Sequence, residues 1–167
     1  IPHFYLTADI GMDALLKVRA EANAAAPKQD GEPAYKISVN DFVIKALALA
    51  LMKVPAANAI FAQDRTLRFQ RADIGVAVAL EGGKGLIVPV IKNAQDLNLL
   101  GMARSIQDVA KRARDKKLLP DDVQGGTITI TNPGGYGTLF GTPVISQPQV
   151  ANVGVYAIVK RPVVVSD

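Results

Sequence analysis

Residues 127–131 alternate threonine and isoleucine, TITIT, and the chain then breaks at Asn132-Pro133-Gly134-Gly135. A period of two is the mark of a strand whose faces meet different surroundings. Ile128 and Ile130 are expected to face a core, and Thr127, Thr129 and Thr131 to face water or a partner surface. Thr131 is the last of them before the turn. Asn132 precedes a proline, which pushes it towards extended backbone. Gly134 and Gly135 carry no side-chain bulk, so a ligand or a second chain can come close there. The same pattern also describes a β-branched strand ending in an ordinary turn.

The strand's neighbours are read from the rest of the chain. HFYLTADI (3–10) is rich in β-formers and is expected to be a strand. Residues 12–26 show helical spacing of Leu15, Leu16, Val18 and Ala22, with Asp13 in the first turn. Residues 27–35 form a loop broken by Pro, Asp-Gly and Pro. A second helix is expected over 38–54, with Ser38 as N-cap, Asp41 completing a near capping box and Pro55 ending it. It is apolar almost all round and should be buried. Strands follow at 66–70, 72–80 and 86–91, the last two joined by the turn EGGKG (81–85), with Pro89 marking an edge or an irregularity. Residues 99–118 form a long amphipathic helix with the stripe Met102, Ile106, Val109, Ala110 and Ala113, and with basic residues towards its C-terminal end. A last strand is expected at 150–159. Interleaved helices and strands, with a hairpin among them, give an α/β (α+β) two-layer fold: a mixed sheet covered by helices.

The 167 residues fit one domain, 49% of them hydrophobic and 20% charged. The net charge of +4 is spread out, its densest cluster being Lys111, Arg112, Arg114, Lys116 and Lys117. That suits a solvated surface or a phosphate-carrying partner such as a nucleotide-containing cofactor. With 5% aromatics and no Trp, a stacking platform for nucleic acid has little to build on. The absence of cysteine excludes a disulfide scaffold, a cysteine nucleophile and a zinc–thiolate site. No apolar run reaches membrane-spanning length. The N-terminus has no initiator Met and no signal-like core, and the C-terminus stops after a strand-like run, so both ends are expected to be cut.

Few residues offer chemistry. The glycines of 134–141 have neither dinucleotide-binding nor Walker A spacing. His3 is the only histidine, so there is no second histidine for a metal pair and no other general base near neutral pH. None of Ser38, Ser105, Ser146 and Ser166 lies in a nucleophile elbow.

Six segments, in order and spacing, carry a resemblance over essentially the whole chain: IPHFYLTADI, KISVNDFVIKALALAL, VPAANA, ADIGVAVALEGGKGLIVPVIKNA, GGTITITNPGGYGTLFGTPVISQPQVANVG and KRPVV. They resemble the C-terminal catalytic core of the dihydrolipoamide acyltransferases, the E2 components of 2-oxo acid dehydrogenase complexes. The resemblance implies residues 1–167 as one inner-core acyltransferase domain with a chloramphenicol acetyltransferase-like fold. It implies acyl transfer between a dihydrolipoyl group, carried on a separate domain, and coenzyme A. It implies homotrimers assembled into a 24-mer or 60-mer core, E1 and E3 components held through other domains, and neither a nucleic-acid nor a membrane partner. The family's oxyanion-stabilising hydroxyl falls on Thr131. Ser38 falls on the helix start that lines the coenzyme A channel, where capping and ligand roles coexist, and Asn93, Asn132 and Gly134 are weaker neighbours of that channel.

The family's DHRxxDG motif, with its general-base histidine and partner aspartate, has no counterpart in these 167 residues, and the resemblance gives no licence to put His3 in its place. The leading expectation is an acyltransferase core, acetyl favoured and succinyl or branched-chain acyl open. The alternatives are a catalytically silent structural subunit or inert fragment, and, less well matched, a free-standing chloramphenicol-type acetyltransferase. Localisation follows the source: cytoplasm in a bacterium, which the alanine-rich composition favours, or the mitochondrial matrix.

Overall fold

The computed structural model describes residues 2–83 and 85–164; Lys84, inside the expected 81–85 turn, and Ser166 lie outside them. In chain order the elements are α1 (Asp13–Ala24), β1 (Lys28–Gln29), β2 (Glu32–Pro33), α2 (Val39–Lys53), β3 (Ala59–Ala62), β4 (Arg65–Arg68), β5 (Ile74–Val76), β6 (Val78–Ala79), β7 (Leu86–Ile87), β8 (Val90–Ile91), α3 (Leu99–Arg114), β9 (Ile128–Thr131) and β10 (Asn152–Gly154). The central sheet has the order β10-β9-β5-β8. β9 runs parallel to both β10 and β5, and β8 is antiparallel, so the sheet is mixed, as the interleaved pattern predicts.

The core lies where α2 and α3 cover this sheet. Ile44, Ala48 and Leu51 of α2 and Met102 and Val109 of α3 pack with Ile74, Val76, Ile91, Ile128 and Ile130. Ser38 caps α2: its Oγ accepts from the Asp41 backbone N–H, and Asp41 Oδ2 accepts from the Ser38 N–H at 2.6 Å. Two N–H donors at the helix start are thereby satisfied. The expectation that α2 is buried all round is corrected: Leu49 is 46% exposed, because the sheet and α3 cover one side only. α3 ends at Arg114, short of 118, where Lys116 takes a left-handed φ of 56°.

Other expectations change with the same logic. Residues 3–10 form no ladder among the described residues, and Phe4 and Leu6 are exposed. A strand needs neighbours for its N–H and C=O groups, and β-propensity alone does not provide them. The 27–35 loop contains the short hairpin β1–β2, turning on Asp30-Gly31 with φ of 53° and 85°, the geometry an Asp-Gly hairpin favours. The sequence reading did not anticipate β3, which pairs with β4 through a two-residue turn at Gln63-Asp64. The 72–80 and 86–91 strands do pair as a hairpin, but each is broken in two, at Ala77 and at Val88-Pro89. Pro89 has no N–H to donate, although its carbonyl accepts from the Val76 N–H at 2.8 Å. The final strand keeps only residues 152–154.

Candidate functional site

β9 is an inner strand, hydrogen-bonded along both edges to β10 and β5. Ile128 and Ile130 enter the core as the alternation predicts. At Thr127 and Thr129 the threonine face is closed to water, which corrects the expectation there: both are buried. Their hydroxyls are spent inside the chain. Thr127 Oγ1 donates to Asn58 Oδ1 at 2.7 Å, while Asn58 Nδ2 donates to the carbonyls of Phe69 and Arg71, both at 2.9 Å. Thr129 Oγ1 donates to Gln149 Oε1 at 2.7 Å, and Gln149 Nε2 donates to the Gly126 carbonyl. Thr131 differs. It is half-buried, and among the described residues its hydroxyl has no hydrogen-bond partner, although its carbonyl accepts from the Val155 N–H at 2.8 Å.

Thr131 and Thr129 lie on the floor of a cleft of about 540 Å³. One wall is apolar, from Ala77, Leu86, Val88 and Val90, and the other is the segment 143–149 with Asn152. Asn152 Oδ1 is buried there without a hydrogen-bond partner among the described residues, while its Nδ2 donates to the Val144 carbonyl at 3.2 Å. The cleft therefore offers apolar walls, amide groups and two hydroxyls without a hydrogen-bond partner among the described residues: that of Thr131 at the end of β9 and that of the exposed Ser146 on the opposite wall.

None of the remaining predicted residues lines this cleft. Asn132 Nδ2 donates to Asn40 Oδ1 at 2.7 Å, and Asn132 Oδ1 accepts from the Gly134 N–H. This ties the end of β9 to the first turn of α2, and so brings Thr131, Asn132 and the Ser38 cap into one neighbourhood. Asn40 and Tyr136 also line a second groove, which shares Ala77 and Leu86 with the cleft, together with Arg114, Gly82, Gly83 and Gly85. Asn93 stands apart: it occupies the left-handed turn after β8, with φ of 49°, and its N–H is held by the buried Asp73 carboxylate at 2.9 Å. At Gly134 the close approach is to the chain itself, because an added Cβ would lie 2.5 Å from the Tyr156 carbonyl carbon, whereas Gly135 faces open space. The expected room for a ligand therefore exists at Gly135 and not at Gly134.

His3 is exposed at its ring and lies within 2.9 Å of the Tyr5 hydroxyl; it is not among the residues lining the cleft. Among the described residues no three His, Cys, Asp or Glu side chains are grouped to hold a metal, and no helix is long and apolar enough to cross a membrane. At the start of α2, the Asp41 carboxyl is pushed up by burial against the opposing pull of its Ser38 hydrogen bonds. Sequence reasoning missed Asn40, Asn58, Gln149 and Asn152. Of these, Gln149 alone had a local signal, the QPQ run after the glycine loop.

Relatives and solved structures agree with this architecture. The chain is 44% identical over 157 residues to the dihydrolipoyllysine-residue acetyltransferase component of the pyruvate dehydrogenase complex of Rhizobium meliloti, covering 94% of this chain and 35% of that protein. It is 43% identical over its whole length to the same component of Zymomonas mobilis, of which it covers 37%. The chain thus spans little more than a third of these relatives. A crystal structure of a probable dihydrolipoamide acetyltransferase from Listeria monocytogenes superposes with a TM-score of 0.83 at 37% identity, over 92% of this chain and 63% of that one. The cubic core of a pyruvate dehydrogenase multienzyme complex superposes at 0.85 with 33% identity, over 92% and 62%. The chloramphenicol acetyltransferase-like fold expected from the resemblance is borne out by these matches. The family model for 2-oxoacid dehydrogenases acyltransferase (catalytic domain) matches residues 1–167, and the chain belongs to that family.

Proposed function

We propose that this protein transfers an acyl group, acetyl by preference and succinyl or branched-chain acyl as open alternatives, between a dihydrolipoyl arm and coenzyme A. The observation that carries the reading is the unequal use of three threonines on one face: two are consumed by internal hydrogen bonds, and Thr131 alone turns an uncommitted hydroxyl to the cleft. In the reaction, a thiolate attacks the thioester carbonyl, a new S–C bond forms and the carbonyl oxygen becomes an oxyanion. Collapse of that intermediate breaks the old S–C bond and expels the other thiolate. Thr131 donates its hydroxyl proton in a hydrogen bond to the oxyanion, an interaction stronger in the transition state than in the ground state. The proton of the attacking thiol goes to a base outside this cleft's described lining, in this proposal the histidine of a DHRxxDG segment on a neighbouring subunit.

Ser38, Asn93, Asn132 and Gly134 belong to this proposal as neighbours of the coenzyme A channel, with unequal support. Asn132 acts through Asn40, which lines the second groove. Ser38 sets the start of α2, Gly134 sets the loop after β9, and Asn93 rests on the resemblance alone. Assembly into homotrimers and then a 24-mer or 60-mer core, E1 and E3 partners, and a bacterial cytoplasmic location complete it. The support for assembly is the likeness to a cubic core, and the support for location is the bacterial relatives. A second reading is a silent core subunit.

Acyl transfer from acetyl-CoA to dihydrolipoamide, measured on the whole protein that carries this chain, separates the two readings. Turnover that falls by about two to three orders of magnitude in Thr131→Ala supports the enzyme reading. Assembly into a core with no turnover supports the silent subunit, and turnover unchanged in Thr131→Ala removes Thr131 from the mechanism.

A further inference from the structure

Tyr156 sits in a slot cut by glycines. An added Cβ on Gly154 would lie 2.3 Å from its hydroxyl oxygen, and one on Gly141 would lie 3.2 Å from its Cε1. Its own carbonyl carbon is the atom that Gly134 packs against. The Tyr156 hydroxyl donates to the Gly141 carbonyl at 2.9 Å, and the next residue's N–H, Ala157, donates to the Thr138 carbonyl at 2.9 Å. The Phe140 ring lies 6.4 Å away, centroid to centroid. One side chain and one peptide thus pin the glycine loop that leaves Thr131 onto the segment that leaves β10.

The pinned loop continues as the outer wall of the cleft. From Gly141 the chain runs through Pro143, Val144 and Ser146 to Gln149. Three side chains fasten it: Tyr156 at Gly141, Asn152 at Val144, and Gln149 beneath Thr129. Val144 itself is 84% exposed, so packing holds the wall little at that point, and its position there is set by these hydrogen bonds; at the far end the Phe61 N–H also donates to the Pro148 carbonyl at 3.4 Å.

We infer that Tyr156 is a positioning residue, holding the 141–149 wall against the cleft and so setting how tightly the cleft grips the flexible thiol arm that enters it. The inference rests on the acyl-transfer reading. Tyr156 does not line the cleft, and it acts through the wall, on substrate binding rather than on the oxyanion.

The test compares the whole protein with Tyr156→Phe, which keeps the ring in its slot and removes only the hydroxyl. Steady-state kinetics with acetyl-CoA and dihydrolipoamide are measured beside amide hydrogen exchange. The expected result is a KM raised about three- to tenfold for at least one thiol substrate, with kcat held within about twofold. The amides of residues 138–144 and of Ala157 should exchange about three- to tenfold faster, with those of Ile128–Ile130 unchanged. Unchanged exchange, or a kcat loss with both KM values unmoved, overturns the inference. If the wild-type protein transfers no acyl group, the functional reading fails, while the exchange comparison still decides whether Tyr156 fastens the wall. Tyr156→Leu, which also empties the slot, should loosen the same amides further; slower exchange there than in Tyr156→Phe also overturns it.

Discussion

Replacing each threonine of β9 by valine, one at a time, separates structure from chemistry on a single face. Thr127→Val is nearly isosteric and leaves the strand's β-propensity intact. It removes the one donor to Asn58 Oδ1, in a side chain that is fully buried and whose other two hydrogen bonds hold the carbonyls of Phe69 and Arg71. The orphaned acceptor costs about 1–3 kcal/mol. For a chain of this length that lowers the melting temperature by roughly 2–4 °C per kcal/mol, or about 4–8 °C at the middle of the range. Thr131→Val removes a hydroxyl that nothing in the described chain uses, so its melting temperature should stay within about 2 °C of wild type, while acyl transfer falls about two to three orders of magnitude. The assay is thermal unfolding at fixed protein concentration, since assembly makes the midpoint concentration-dependent, beside turnover of the same samples. Thr127→Ser, which keeps the donor, should lose only the methyl contribution of about 0.8 kcal/mol. A Thr127→Val protein as stable as wild type, or a Thr131→Val protein destabilised as much as Thr127→Val, would refute the division of labour.

Three further outcomes are expected. Ser38→Ala removes the acceptor for the Asp41 N–H and should cost about 1 kcal/mol, read as a shift in urea midpoint without a change in slope. Gly134→Ala drives a methyl into the Tyr156 backbone, whereas Gly135→Ala meets nothing within 4 Å. The first should therefore destabilise by about 1–3 kcal/mol and the second stay near neutral in the same titration. Asp41 carries a carboxyl whose folded pKa is raised by burial, so the folded state binds its proton more readily than the unfolded chain does. Stability from this group therefore rises as pH falls through its folded pKa towards its unfolded one. Wild type should accordingly gain on Asp41→Asn as the pH is lowered from neutral into the acid range, as read by melting temperature.

What the sequence made legible was local. The capping box of α2 needs only Ser38 and Asp41 three residues apart, and the stripe of α3 needs only its own spacing. The hairpin of 72–80 with 86–91 was visible, but its break at Ala77 was not, because that break answers to a proline on the opposite strand. The prediction for residues 3–10 failed because β-formers were counted without a partner for their backbone. Burial of Thr127 and Thr129 was hidden because it depends on Asn58, 69 residues away, and Gln149, 20 residues away. β3 was missed because its turn places Gln63 at φ 50°, with no glycine or asparagine to signal it. The place of Thr131 at the strand end was legible, and that its hydroxyl has no partner among the described residues could be seen only once the bonds of Thr127 and Thr129 were found.

The break at Ala77 and Pro89 has a geometrical result of its own. Ala77 and Leu86 line both the cleft that holds Thr131 and the groove that holds Asn40. Over that stretch the same two residues border both hollows. A bulkier residue at 77 would encroach on that common border, so the shape of one hollow cannot be changed there without bearing on the other.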